Sequence, residues 1–334
     1  MTVNTTPRFR IEDAAYFAQE VFGLVAVASS LPSERDQNFA LYTTLGQKFV
    51  LKIAKSDEAR AVLELQNAAL KIAAQGAPHL ALPRLLPTSA GADMATIDGA
   101  ESRSYFVRLF SWIEGEIWAR ALPHEDVQFE TLGAVLADLN RALQGFAHPA
   151  MHRELNWDVK RADLALEYLP LLPTEQQALV REFMAAWESV DWKMLRHGLI
   201  HGDPNDYNVL VRNGRVIGLL DFGDMTHSAV VCDLAIALAY ALLDVSDPMR
   251  AAGSIIRAYQ ERFSLTASEL DALYPLMTAR LCMSLCYAAY NAQVKRGDAY
   301  QLVTAAPAWA LLQELAALPQ DEARSAFRMT CEPV

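Results

Sequence analysis

Hydrophobic and polar positions change their period along the chain, and the changes mark its organisation. Between residues 11 and 22, Ile11, Phe17, Val21 and Phe22 stand against Glu12, Asp13, Gln19 and Glu20, a spacing that predicts a short amphipathic helix. Three strand-like runs follow: the Val-rich Leu24–Ser29, then Asn38–Thr43, then Lys48–Ile53. In the last, Phe49, Leu51 and Ile53 share one face while Val50 and Lys52 take the other. A turn at Leu45-Gly46-Gln47 predicts that the second and third runs form a hairpin. Helical periodicity returns from Ser56 to Ala74, with Ser56 expected as the N-cap and Gly76 beyond the end. Residues 77–100 are rich in Pro, Gly and Ala and predict short strands among loops; Tyr105–Ile113 is a strong apolar strand.

Glu114-Gly115-Glu116 breaks that pattern, and we place a lobe boundary there, giving units 1–113 and 114–334. Beyond about residue 125 the period is mostly helical, with helices expected at 129–144, 158–168, 174–190, 229–244, 248–263, 267–296 and 303–316. The interruption is 197–224, where short strands at 199–200, 209–211 and 216–220 bracket tight turns. The fold class is therefore α+β, with a small β-rich N-terminal lobe and a larger helical C-terminal lobe.

Composition narrows the function. The chain has 334 residues, enough for two units, and 29 basic against 40 acidic side chains give a formal charge of −11. Nucleic-acid binding leans on basic patches, so no nucleic-acid partner is expected. The most continuous apolar run, Leu234–Leu243, is half the length a membrane span needs, about 20 residues, so no membrane partner is expected either. The N-terminal residues lack the apolar core of a secretory leader. Cys232, Cys282, Cys286 and Cys331 form no C-x-x-C pair and no disulfide framework, which points to a reducing, cytoplasmic location and to buried thiols rather than a metal site.

The chemistry concentrates in 199–224, LIHGDPNDYNVLVRNGRVIGLLDFGD. Asp203 lies two residues past His201; Asn208 lies five past Asp203; Asp221-Phe222-Gly223 begins thirteen past Asn208. The intervening Asn213-Gly214 predicts a hairpin that brings Asn208 and Asp221 together at its open end, with Asp203 in the loop just before it. Two hard oxygen groups suit Mg²⁺, and a neighbouring carboxylate suits an acceptor hydroxyl; these are parts that phosphoryl transfer uses. Singly, each of these residues reads as an ordinary turn former; their combination is what carries the signal.

This segment resembles the HxDxxxxN and IDFGD motifs of the aminoglycoside phosphotransferase and choline kinase superfamily, relatives of the protein kinases. HGDPNDYNVLV with LLDFGDMTHSAVVCDLAIALAYALL is similar to the hydroxylysine kinase subfamily, as is LPSERDQNFAL at 31–41. The resemblance, which runs from about residue 20 to about 300, implies a protein-kinase-like two-lobed fold and transfer of the γ-phosphoryl of ATP or GTP, with Mg²⁺, to a hydroxyl of a small molecule. It implies Asp203 as catalytic base, Asn208 and Asp221 as metal ligands, His201 as a structural residue and Lys52 as the contact to the α- and β-phosphates. Glu64 is expected to pair with Lys52, with Asp57 and Glu58 competing, and Ser33 to contact phosphate from a turn that lacks glycine and carries Glu34 and Asp36. Asp233 is expected to fix the catalytic loop, Asp224 to serve the metal or the substrate, and Phe110–Ile113 to read the base through its backbone.

The substrate best fitting the resemblance is hydroxylysine, with homoserine, choline-like amines and aminoglycosides as alternatives and a non-catalytic nucleotide-binding module as the alternative class. An amine would need carboxylates or aromatic faces, for which Asp224, Glu114, Glu116, Trp112, Trp118, Trp157, Tyr207 and Tyr287 are candidates. Its pocket is expected between the lobes, beyond Asp203, against the helices at 229–244 and 267–296 and the 112–118 segment.

Overall fold

The computed structural model describes residues 5–33, 35–99, 103–294, 299–318 and 320–330; Glu34 and Cys331 lie outside them. The chain forms two compact units, Met1–Gln75 with Ala81–Glu114, and Gly76–Leu80 with Gly115–Val334.

The first unit contains α1 (Ile11–Phe22), β1 (Val27–Leu31), β2 (Gln37–Tyr42), β3 (Lys48–Ile53), α2 (Arg60–Gly76), β4 (Leu85–Leu86), β5 (Ala95–Asp98) and β6 (Ser104–Ser111). The strands form one antiparallel sheet in the order β1-β2-β3-β6-β4, with β5 also on β6. The alternation read from KFVLKI sets its faces: Leu51 and Ile53 are fully buried with Phe39, Leu41 and Val107, and Ala14 and Ala18 of α1 close over them. The small alanines let the helix approach the sheet, and burying each larger side chain contributes about 1.5–3 kcal/mol. α2 begins at Arg60, not at Ser56. Lys55 lies 3.4 Å from Asp57 and 3.9 Å from Glu58, and the 55–58 segment closes as a turn through Glu58 N–H on the Lys55 carbonyl. These acidic residues hold a turn ahead of the helix instead of its first winding.

The second unit contains β7 (Glu116–Ile117), α3 (Asp126–Ala142), α4 (Thr174–Glu188), β8 (His197–Ile200), β9 (Val209–Arg212), β10 (Arg215–Leu219), β11 (Thr226–Ala229), α5 (Val231–Ala241), α6 (Pro248–Gln260), α7 (Ala267–Val294), α8 (Ala299–Ala316) and α9 (Gln320–Thr330). β7, β11 and α9 have no counterpart in the sequence reading. The expected helix at 158–168 is instead a run of 3₁₀ turns over Val159–Leu171, broken at Arg161 (φ −116°, ψ 30°) and carrying Pro170, which cannot donate into a helix. α5 and most of α7 are apolar on every face because both are buried all round, α7 packing against α4, α5, α8 and the 3₁₀ run. No helix among the described residues is long and apolar enough to cross a membrane. Cys232, Cys282 and Cys286 are free, buried thiols, and burial pushes their pKa values up, so they are unreactive.

Candidate active site

The site is assembled from the loop that follows β8 and the turn that follows β10. β9 and β10 pair with Val209 opposite Leu219, joined through Asn213 (φ 53°) and Gly214 (φ 68°), the paired positive φ values of a tight hairpin turn. The hairpin's open end continues in a bond from the Leu220 N–H to the Asn208 carbonyl at 2.7 Å, so Asn208 and the Leu220-Asp221 step are neighbours. His201 ties the same two segments: its Nε2 donates to the Leu220 carbonyl at 2.8 Å, its Nδ1 accepts the Asp203 N–H at 3.2 Å, and the Phe222 ring lies edge-on to the imidazole. These two contacts select the neutral tautomer protonated on Nε2. Gly202 (φ 83°) could not be another residue, since a Cβ there would fall 2.3 Å from the Asp224 carbonyl oxygen.

Asp233, fully buried in the first turn of α5, anchors the loop. Its Oδ2 accepts the His201 N–H at 3.0 Å and Asn140 Nδ2 at 2.7 Å, and its Oδ1 accepts the Gly202 N–H at 2.9 Å. Asn140 in turn accepts the Tyr259 hydroxyl at 2.8 Å. A buried carboxylate with three donors is compensated, and the role expected for Asp233 is the one its contacts describe.

Asp203 receives donors from three directions. Asn205 Nδ2 reaches its Oδ2 at 2.8 Å, Asn208 Nδ2 reaches the same oxygen at 3.1 Å, and Arg280 of α7 reaches Oδ1 at 2.6 Å. Burial pushes the Asp203 carboxyl up to about 6; the Arg280 charge opposes the shift, while the charges of Asp224 and Asp221 add to it. Arg280 is itself buried, with its guanidinium facing the rings of Trp157 and Tyr240. Asp206 is a second desolvated acid in this loop: burial pushes it up to about 7, and its Oδ1 is buried without a hydrogen-bond partner.

The metal-ligand candidates fit a hard cation. The Asn208 amide nitrogen is committed to Asp203, with a further bond to the Asp203 carbonyl at 2.8 Å, which leaves the amide oxygen as the atom that could face a cation. Asp221 is exposed in a left-handed conformation (φ 50°, ψ 85°) and accepts the Gly223 N–H at 3.2 Å. No cluster of three or more His, Cys, Asp or Glu side chains among the described residues forms a metal cage. An amide oxygen and a carboxylate, completed by phosphate and water oxygens, is a donor set that suits Mg²⁺.

The chain's first unit holds the remaining candidates. Lys52 is half-buried on β3, opposite Asn38 and Arg108. Ser33 is exposed just past β1. The Glu64 carboxylate, expected to face Lys52, is taken by Arg60 Nε at 2.8 Å, one helical turn away. Glu114 pairs with Lys48 at 2.9 Å. In the second unit Glu116 is exposed on β7, whereas Trp118 is a core residue stacked on His124, centroids 4.0 Å apart. Trp157 and Tyr287 do belong to one cluster (4.5 Å), which continues through Tyr168 and Tyr290.

A model of the phosphotransferase enzyme family matches residues 28–275. The chain belongs to that family. It is 30% identical to hydroxylysine kinase of Mus musculus over 92% of this chain and 90% of that one. Among solved structures, a microcompartment-associated aminopropanol kinase superposes with a TM-score of 0.73 at 18% identity, covering 92% of this chain and 98% of that one. Amicoumacin kinase hAmiN, solved in complex with AMP-PNP, Ca²⁺ and Ami, gives 0.68 at 13% identity, covering 92% and 94%. The fold is kinase-like and the enzyme is a phosphotransferase that acts on a hydroxyl group.

Sequence reasoning did not find Arg280, Asn205, Asn140 or Asp206. Arg280 left a trace: it is the one charged residue between Leu273 and Tyr290, and a lone charge in an apolar helix needs a buried partner.

Proposed function

We propose that this phosphotransferase moves the γ-phosphoryl group of ATP or GTP to a hydroxyl of an amino acid or amino alcohol, with hydroxylysine as the first choice of substrate. The observation that carries the reading is the seating of Asp203: a carboxylate held by three donors, still partly open, beside an amide oxygen and a carboxylate suited to a cation. Similarity to the mouse hydroxylysine kinase over nearly the whole chain supports the choice of substrate.

Mg²⁺, when bound, would neutralise phosphate charge and bridge the nucleotide to Asn208 and Asp221. The chain's own residues do the rest. Asp203 accepts the hydroxyl proton as the acceptor oxygen bonds to the γ-phosphorus and the bond to the nucleotide's bridging oxygen breaks; the electron pair leaves with the nucleoside diphosphate. His201 and Asp233 hold the loop in register. Lys52 is assigned to the α- and β-phosphates and Ser33 to a phosphate oxygen, both on the family resemblance. Asp224 is left between metal and substrate. No covalent enzyme intermediate is required, so catalysis consists of positioning and charge compensation. For a substrate ammonium, the Trp157–Tyr287–Tyr168–Tyr290 cluster offers ring faces; Arg280 already occupies that of Trp157, which leaves the tyrosines. The buried thiols accord with a cytoplasmic location.

Turnover of 5-hydroxylysine, homoserine, 1-amino-2-propanol, choline and an aminoglycoside, each with ATP and with GTP, tests the reading. A kcat/KM for 5-hydroxylysine at least tenfold above the others supports it. A higher value for another acceptor replaces the substrate, and binding of nucleotide without turnover of any acceptor would leave a non-catalytic module.

A further inference from the structure

We propose that Arg280 is a positioning residue for phosphoryl transfer, and that the acceptor hydroxyl meets Asp203 on Oδ1, the oxygen that Arg280 holds. The inference rests on the kinase reading of Asp203 and on a count of its hydrogen bonds. A carboxylate offers about four acceptor positions, two on each oxygen. Both positions on Oδ2 are filled, by Asn205 at 2.8 Å and Asn208 at 3.1 Å. Oδ1 accepts one bond, from Arg280 Nη2 at 2.6 Å. The remaining position is on Oδ1, and the Asp203 side chain, 19% exposed, is not sealed from a ligand.

Arg280 is built to stay where it is. Its side chain is 2% exposed. Nη1 donates to the Trp157 carbonyl at 2.7 Å and Nε to the Tyr240 hydroxyl at 3.2 Å, while the Trp157 and Tyr240 rings face the guanidinium at 4.6 and 5.4 Å. The Tyr240 hydroxyl pairs with Ser284 Oγ at 3.1 Å, and Ser284 donates back to the Arg280 carbonyl at 3.1 Å, which ties α5 to α7 around the guanidinium. The planar fork fixes one hydrogen-bond direction at Oδ1, and that fixes the direction of the vacant one. The hydroxyl proton passes to Oδ1 while the guanidinium remains charged and unmoved.

The test compares Arg280→Met, Arg280→Lys and Tyr240→Phe with the wild type. The readouts are kcat and nucleotide KM with 5-hydroxylysine, the basal hydrolysis of the same Mg²⁺–nucleotide, in which water takes the acceptor position, and thermal melting. Misplacing a reacting group by about 1 Å costs roughly 10²-fold in rate, so Arg280→Met should lose about that much in kcat, and in basal hydrolysis, with nucleotide KM within about twofold. Arg280→Lys, which keeps the charge and can still donate to Oδ1 but loses the planar fork, should recover about tenfold of the loss, and Tyr240→Phe, which removes a single anchor, should cost about threefold. A folded Arg280→Met variant with kcat within about threefold of wild type overturns the proposal. So does an equal loss in the Met and Lys variants that follows their melting temperatures. If Arg280→Met does not fold, unchanged rates in the other two variants overturn it. Failure of the wild type to turn over 5-hydroxylysine would fall on the choice of substrate alone, because basal hydrolysis still decides the role of Arg280.

Discussion

The segment 201–224 and the candidate phosphate-contacting residues of the first unit belong to one proposed reaction but are held in opposite ways. In 201–224 the polar groups are cross-tied: His201 bonds at both ring nitrogens, Asp203 takes three donors, and Asp233 of α5 holds the segment by accepting from the His201 and Gly202 N–H groups. In the first unit Ser33 is exposed past a strand end, and Glu64 lies in an exposed i,i+4 pair with Arg60. Hydrogen bonds inside a protein are strong only where water is excluded and every partner is satisfied. The loop proposed to activate the acceptor is therefore preorganised by the fold, Asp206 Oδ1 being its one unpartnered buried oxygen among the described residues, whereas an exposed turn and a surface ion pair carry little energy of their own. The comparison teaches where rate and where binding should be sensitive to substitution.

The largest effect should come from Asp203→Asn, which keeps shape and removes the proposed base: kcat should fall by ~10²–10⁴-fold with nucleotide affinity nearly unchanged, measured by steady-state kinetics and nucleotide titration. A variant retaining most of its kcat would remove Asp203 from the reaction. Asp233→Asn should act on stability first. It turns one of the acceptors of His201 N–H, Gly202 N–H or Asn140 into a donor, and a buried unsatisfied group costs about 1–3 kcal/mol; an unchanged denaturant midpoint would show that the loop does not depend on this anchor. Asp221→Ala should weaken nucleotide binding only when Mg²⁺ is present, by about tenfold, and an equal loss in EDTA would contradict a metal role.

Glu64→Ala tests the first unit from the other side. An exposed i,i+4 pair is worth about 0.3–0.5 kcal/mol, so kcat/KM should stay within about twofold of wild type; a large loss would mean that Glu64 turns to Lys52 in the working enzyme. A separate prediction concerns the pH dependence of stability and leaves the rate untouched. Burial lowers the His124 pKa from 6.5 to about 4. The folded state thus favours the neutral ring, and its stability is full above pH 6.5 and declines as pH falls towards 4, where the unfolded chain binds the proton first. His124→Phe should flatten the melting temperature in that window; an unaltered profile would assign the acid sensitivity elsewhere.

How much was legible follows from sequence distance. The hairpin at 209–219 was readable because Asn213-Gly214 and alternating strands are local signals, and the hairpin alone brings Asn208 and Leu220 together. The β2–β3 hairpin, α1 and the apolar helices were readable for the same reason. The start of α2 was not, because Ser56 is a good cap by type, yet the 55–58 segment closes a turn of its own. The 3₁₀ run was not, because its apolar spacing also suits a helix and the break at Arg161 leaves no mark in composition.

By itself the sequence determined the α+β class and the local geometry of the proposed catalytic loop and of the two metal-ligand candidates, since a motif of a few residues on one hairpin carries its own geometry. The tertiary structure alone decided which oxygen of Asp203 is engaged by which donor. Arg280 reaches it across 77 positions, and Asn140 reaches Asp233 across 93. Such pairings depend on which faces of α3, α5 and α7 are buried together, and many sequences of equal hydrophobicity would bury other faces. A buried charge must find a partner, but only packing chooses which one.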